Sequence, residues 1–212
     1  QQTLPPGGVG GASGRNPIPM HVGQRSPIKH VFYIIKENRT YDQVFGALPQ
    51  GNGDPSLVQF GRDVTPNHHA LAEKFVLLDN LYGPGDQSAL GHRWILQAYP
   101  STYVTSTGMR GTTRARCCWV RRRPSTTTTP RATVADNDLA LGKIVEAISK
   151  SRYWKDSAIF VTEDDSQGGL DHVDGHRTVG LVISPYTQRG VARFTRSSTC
   201  TGRSSRSSAY RG

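Results

Sequence analysis

A chain of 212 residues can bury a single-domain core, and its formal net charge of +10 at first suggests a nucleic-acid or membrane-surface partner. The basicity is local, however: setting aside Arg110, Arg114, Arg116, Arg121, Arg122, Arg123 and Arg131, with Arg193, Arg196, Arg203, Arg206 and Arg211, takes the remainder from +10 to −2. Neither arginine-rich stretch carries a nucleic-acid-binding motif, no run of about 18 apolar residues exists to span a membrane, and Cys117, Cys118 and Cys200 lack the spacing of a disulfide framework or zinc ribbon.

The chain opens with a Pro/Gly-rich stretch without the charged and apolar regions of a signal peptide, which reads as a linker between domains. Either a signal has been removed or the chain begins inside a longer protein. Ile28 to Lys36 is a β-branched and aromatic run suited to a central strand. It runs into Glu37 and Asn38, a carboxylate and an amide oxygen that suit a hard cation; a capped turn into a helix, with Asn38 or Asp42 as cap, is the plainer alternative. Asn38-Arg39-Thr40 spells a glycosylation sequon, read as coincidence because it adjoins a buried strand.

Residues 48–64 read as a surface loop. Thr65-Pro66 then opens a helix over His68 to Leu78, with Leu71, Ala72, Phe75 and Val76 facing the sheet and His68 and His69 as polar groups of its first turn rather than ligands. A short strand over Leu77 to Tyr82 leads through a Gly/Pro turn into a helix over Ala89 to Tyr99. Ser88 falls at the amino end of that helix, where backbone N–H groups favour an anion or alkoxide; an ordinary N-cap is the local alternative.

Residues 108–133 have no periodicity, after which Ala135 to Ser151 forms an amphipathic helix on Leu139, Leu141, Ile144, Val145 and Ile148, capped by Asp136 or Asn137. The next strand, Ala158 to Thr162, runs straight into Glu163, Asp164 and Asp165, then Asp171, His172, Asp174 and His176. Five acids and two imidazoles so close together repel one another unless a positive charge lies among them, and a divalent metal is the simplest candidate. A solvated acidic turn is the alternative. Val179 to Ser184 is a further buried strand, and beyond Ala192 the pattern is lost again.

Four ordered blocks, ENRTYDQVFG, TPNHHALAEKFVLLDNLY, SALGHRW and WKDSAIFVTEDDSQGGLDHVDGHR, resemble the bacterial phosphoesterase family that includes phospholipase C and the acid phosphatase AcpA, within the alkaline-phosphatase-like superfamily. The likeness is greatest to the branch in which this domain follows a YVTN-type β-propeller. The resemblance implies an α/β fold, a mainly parallel sheet flanked by helices, in truncated form. Residues 1–26 would be linker, 27–107 and 135–192 the two parts of the phosphoesterase domain, 108–134 an anomalous Arg/Thr-rich segment and 193–212 an anomalous Arg/Ser-rich tail. The family's long middle section, which supplies further pocket histidines, is replaced here by 108–134, and both anomalous segments resemble GC-rich DNA read out of frame.

Carried over by position, the resemblance implies that Glu37, Asn38, Asp164 and Asp165 bind a divalent metal (zinc, manganese, calcium or magnesium) and that Ser88 is the nucleophile. His92 and His172 would touch the phosphate or support the ligands. The implied activity is metal-dependent hydrolysis of a small phosphate ester or phospholipid headgroup, in a periplasmic or secreted protein. The alternative is a catalytically degenerate domain that keeps the fold without turnover. Nucleic acid is not the expected partner.

Overall fold

A computed structural model describes residues 17–19, 21–83, 85, 88–99, 101–102, 130–166, 169–187 and 191–193. Most of the linker, the arginine-rich stretch with Cys117 and Cys118, and the tail with Cys200 lie outside the described residues. The last five residues of the anomalous segment 108–134 form the first part of a helix.

The elements are β1 (His30–Lys36), α1 (Tyr41–Phe45), α2 (Pro66–Lys74), β2 (Val76–Leu78), β3 (Leu81–Tyr82), α3 (Ser88–Gln97), α4 (Pro130–Ser149), β4 (Ser157–Glu163), β5 (Arg177–Thr178), β6 (Gly180–Ile183) and β7 (Val191–Arg193). Five strands form one sheet in the order β1-β4-β6-β2-β7, and β3 pairs with β5 in a separate ribbon. The β1–β4 and β2–β7 pairs are parallel, whereas β6 runs against both β4 and β2. The architecture is therefore α/β with a mixed sheet, in which one strand is reversed. That reversal brings the start of β6, and Arg177 just before it, to the edge where β1 and β4 end.

One hydrophobic cluster joins the sheet to α1, α2 and α4 through Phe45, Ala72, Leu77, Leu141, Val145, Ile159, Val161, Leu181 and Ile183. The expectations for α2, β1 and α4 need correction. The helix expected over His68 to Leu78 ends at Lys74, and Val76–Leu78 is strand β2. The β1 strand is an edge strand, not a central one, and Val31 and Tyr33 on it are 63% and 50% exposed. In α4, Leu139 and Ile144 face outward, while Asp138 takes an inward position. The reason is local chemistry: Asp138 accepts the backbone N–H groups of Asn67 and His68 at 3.0 and 2.8 Å, satisfying the first turn of α2 from outside that helix. Thr65 precedes α2 as expected but makes no side-chain cap; its hydroxyl donates to the carbonyl of Phe60 instead.

Candidate metal centre

The register of the β1–β4 pair builds the site. Lys36 lies opposite Glu163, so the two residues after each strand, Glu37-Asn38 and Asp164-Asp165, leave the sheet side by side. The Asp164 N–H still donates to the Lys36 carbonyl at 3.0 Å, which carries the alignment beyond the last strand residues. Behind the centre, Lys36 Nζ and Glu163 Oε1 form a buried pair at 2.7 Å. In front, Asn38 Nδ2 donates to Asp165 Oδ1 at 2.6 Å and to Ser88 Oγ at 3.2 Å. Asn38 adopts φ 64°, the left-handed region that asparagine enters more readily than most residues. Neither Asn38 nor Asp42 caps α1; Thr40 does, in a reciprocal capping box with Gln43. The buried, hydrogen-bonded Asn38 side chain leaves no room for a glycan, in keeping with the reading of the sequon as coincidence.

The α3 helix delivers the rest. Ser88 is its first residue and His92 follows one turn later. The His92 Nδ1 donates to the Ser88 carbonyl at 2.8 Å, leaving Nε2 as the bare nitrogen of the neutral ring. That same Nδ1 lies 3.2 Å from Asp164 Oδ2, but its hydrogen is committed to the carbonyl. Gly91, between them, sits against the main chain of Asp164: a Cβ at position 91 would overlap the Asp164 carbonyl oxygen. Only glycine lets α3 approach the strand end this closely.

Ligand atoms of Glu37, His92 and Asp164 lie within 4.8 Å of one another. Asp164 and Asp165 are fully buried, yet both oxygens of Asp164 and Oδ2 of Asp165 have no hydrogen-bond donor, and Oε2 of Glu163 is also without one. Unsatisfied buried carboxylate oxygens are costly, and a cation satisfies several at once. The electrostatics agree. Burial pushes the Asp164 carboxyl above its ordinary range and the charge of Asp165 adds to this; the Asp165 amide, the Ser88 hydroxyl and His92 lie close enough to offset part of the shift without completing a hydrogen bond to either oxygen. Burial also raises Glu37, followed by the charge of Asp164. The donor set, oxygen-rich with one imidazole, fits a divalent metal.

The other acids of the same stretch are accounted for differently. Asp42, Asp171 and His172 form a second cluster, and its positive charge is Arg177. This guanidinium is fully buried, donates to Asp42 Oδ1 at 2.8 Å and to Asp171 at 3.0 Å, and lies 4.4 Å above the Tyr41 ring. Asp42 also accepts from the backbone N–H of Asp54 and of His172 and contacts His172 Nδ1 at 2.6 Å. Burial alone would raise the Asp42 carboxyl, but these hydrogen bonds and Arg177 outweigh it and hold the group below its ordinary value. Asp174 and His176 pair with each other at the surface. The acid-rich stretch thus divides into a lysine-bound glutamate, a metal-competent aspartate pair, an arginine-bound cluster and a surface pair, where the sequence suggested one cation for all.

Of the residues singled out in the sequence, Glu37, Asn38, Ser88, His92, Asp164 and Asp165 meet at the end of β1 and β4, whereas His172 belongs to the arginine-bound cluster. The amide oxygen of Asn38 was expected towards a cation; its nitrogen faces Asp165 and Ser88. Asp42, Gly91 and Arg177 were missed as site-building residues, because nothing in their local sequence reveals a fully buried guanidinium or a helix packed on a strand end. No helix among the described residues is long and apolar enough to cross a membrane. No family model matches the chain, and no curated protein matches it.

Proposed function

We propose that the chain is a metal-dependent phosphoesterase with Ser88 as nucleophile, built on an alkaline-phosphatase-like α/β domain. The observation that carries this reading is the pair of buried aspartates with three donorless oxygens beside a serine hydroxyl at a helix amino terminus. Glu37, His92, Asp164 and Asp165 would hold the cation, with the Asn38 amide beside them donating to Asp165 and Ser88. A divalent cation bound there supplies Lewis-acid polarisation of a phosphoryl oxygen and favours the serine alkoxide.

The chain's own residues do the rest. The first turn of α3 directs its free N–H groups and dipole toward negative charge gathering at Ser88. Asn38 fixes the Ser88 hydroxyl relative to the aspartate pair. Attack of Ser88 Oγ on phosphorus forms the O–P bond of a phosphoserine and breaks the bond to the leaving oxygen, which departs as the alcohol with the serine proton; water then cleaves the phosphoserine bond, returning the hydroxyl and releasing inorganic phosphate from a monoester or a phosphomonoester from a headgroup diester. His172, oriented by Asp42, stands in the neighbouring cluster as a contact for phosphate oxygens. A small phosphate ester or a phospholipid headgroup is the substrate class, and an exported enzyme downstream of a β-propeller is the setting that the four sequence blocks suggest.

The test is hydrolysis of p-nitrophenyl phosphate and its phosphorylcholine ester with a panel of divalent metals, beside Ser88→Ala and Asp164→Asn. Metal-dependent turnover lost in both variants supports the reading. Folded protein that binds metal without turnover identifies a degenerate domain instead.

A further inference from the structure

A cavity of about 150 Å³ lies beside the metal centre, with Lys36, Glu37, Arg39, Thr65, His68 and Val134 among its walls. Glu37 belongs to both, so the cavity adjoins the place where an ester would react. A 150 Å³ cavity accepts a molecule of about benzene size.

Two wall residues carry buried atoms without partners: Nε2 of His68 and Nε of Arg39. Their chemistry is complementary. The carboxylate of Asp138 lies against His68 Nδ1, and although burial acts to raise Asp138, the hydrogen bonds from His68 and Asn67 hold it below its ordinary value. An ionised carboxylate only accepts, so the His68 proton sits on Nδ1 and Nε2 is a bare acceptor. Arg39 Nε carries a hydrogen and only donates. Its guanidinium is held 4.7 Å over the Phe60 ring while Nη1 donates to the Asn38 carbonyl. Of the wall's cations Lys36 is already paired with Glu163, so the charge available to a ligand is that of Arg39. A group that presents an anionic oxygen to Arg39 and a hydroxyl hydrogen to His68 fits these walls.

We propose that this cavity binds the alcohol portion of the substrate, a short hydroxy acid whose carboxylate pairs with Arg39 and whose hydroxyl donates to His68 Nε2. The assignment of that group as the leaving alcohol rests on the phosphoesterase reading; its binding does not.

The deciding experiment is calorimetric titration of the purified chain with D-glycerate, in wild type, Arg39→Gln, His68→Asn and the cavity-filling Val134→Phe. Asparagine keeps a donor for Asp138 while removing the bare nitrogen, and circular dichroism verifies that each variant is folded. Saturable binding, weakened at least about tenfold by Arg39→Gln and by His68→Asn, and abolished by Val134→Phe, is the expected result. No binding by the wild type, or binding that none of the three folded variants alters, overturns the proposal. Hydrolysis of p-nitrophenyl phosphate, which carries neither an acid nor a free hydroxyl on its alcohol part, separates the two readings. Turnover without glycerate binding overturns the subsite alone, and glycerate binding without turnover keeps the hydroxy-acid site while overturning the phosphoesterase.

Discussion

Asn38 and Asp165, 127 positions apart in sequence, are joined by a 2.6 Å hydrogen bond across the ends of two parallel strands. Asn38 makes this bond from a left-handed backbone conformation, φ 64°. Alanine and glycine at this position both lose the amide, but only alanine also meets the steric cost of about 1–2 kcal/mol. Asn38→Ala is therefore expected to be the less stable of the two in urea denaturation by about that amount. Equal midpoints would show that the backbone conformation costs nothing here.

Asp164 is a buried carboxylate beside other carboxylates, so its neutral replacement changes stability in a direction opposite to most core substitutions. With chelator present, Asp164→Asn is expected to be more stable than wild type at pH 7 by about 1–2 kcal/mol. The sign follows from the raised pKa of Asp164. The folded state holds that proton more tightly than the unfolded state, so ionisation weakens the fold as pH rises through the ordinary carboxylate range towards the raised value. The advantage of the variant should accordingly vanish in acid. Added divalent metal should raise the melting temperature of wild type and leave Asp164→Asn little changed.

Gly91 sets the distance between α3 and the β4 strand end. Gly91→Ala is expected to displace the helix, costing about 1–3 kcal/mol in stability and weakening metal binding, because Ser88 and His92 move with it. Since alanine is the better helix former, a stability gain with unchanged metal affinity would show that α3 is not held against Asp164.

Arg177 neutralises the carboxylates of Asp42 and Asp171, and the side chains of all three are fully buried. Arg177→Met leaves two carboxylates without their cation and is expected to cost about 3–5 kcal/mol. Adding Asp42→Asn to that variant should recover part of the loss, and a double-mutant cycle in chemical denaturation measures the coupling. Strictly additive effects would mean that the guanidinium serves packing rather than charge.

Burial, with the nearby Lys36 charge adding to it, pushes His68 down to about 4, against the pull of Asp138. The unfolded state therefore takes up a proton before the folded state does, so this contribution is complete above the ordinary histidine pKa and is lost as pH falls from there towards 4. Between pH 7 and pH 4.5 wild type should lose about 2 kcal/mol more than His68→Asn. A ring titrating at its ordinary value in NMR would contradict it.

The order and type of most elements were legible from hydrophobic periodicity and turn chemistry, because these depend on neighbours in the chain: the β4 run into Glu163-Asp164-Asp165, the Thr65-Pro66 start of α2, and Ser88 at the head of α3. The candidate ligands were legible for the same reason, as polar residues placed abruptly after buried strands. The β1–β4 register was not. It brings Glu37-Asn38 beside Asp164-Asp165, and pairing across more than a hundred residues leaves no local trace. Nor could the sequence divide its acids among partners, since Arg177 reaches Asp42 only because β6 runs against β4 and β2. Composition and spacing determined which groups were available for a metal centre; tertiary packing decided which carboxylates received a lysine, an arginine or a histidine and which were left with unsatisfied oxygens, because burial and charge compensation are properties of the assembled fold.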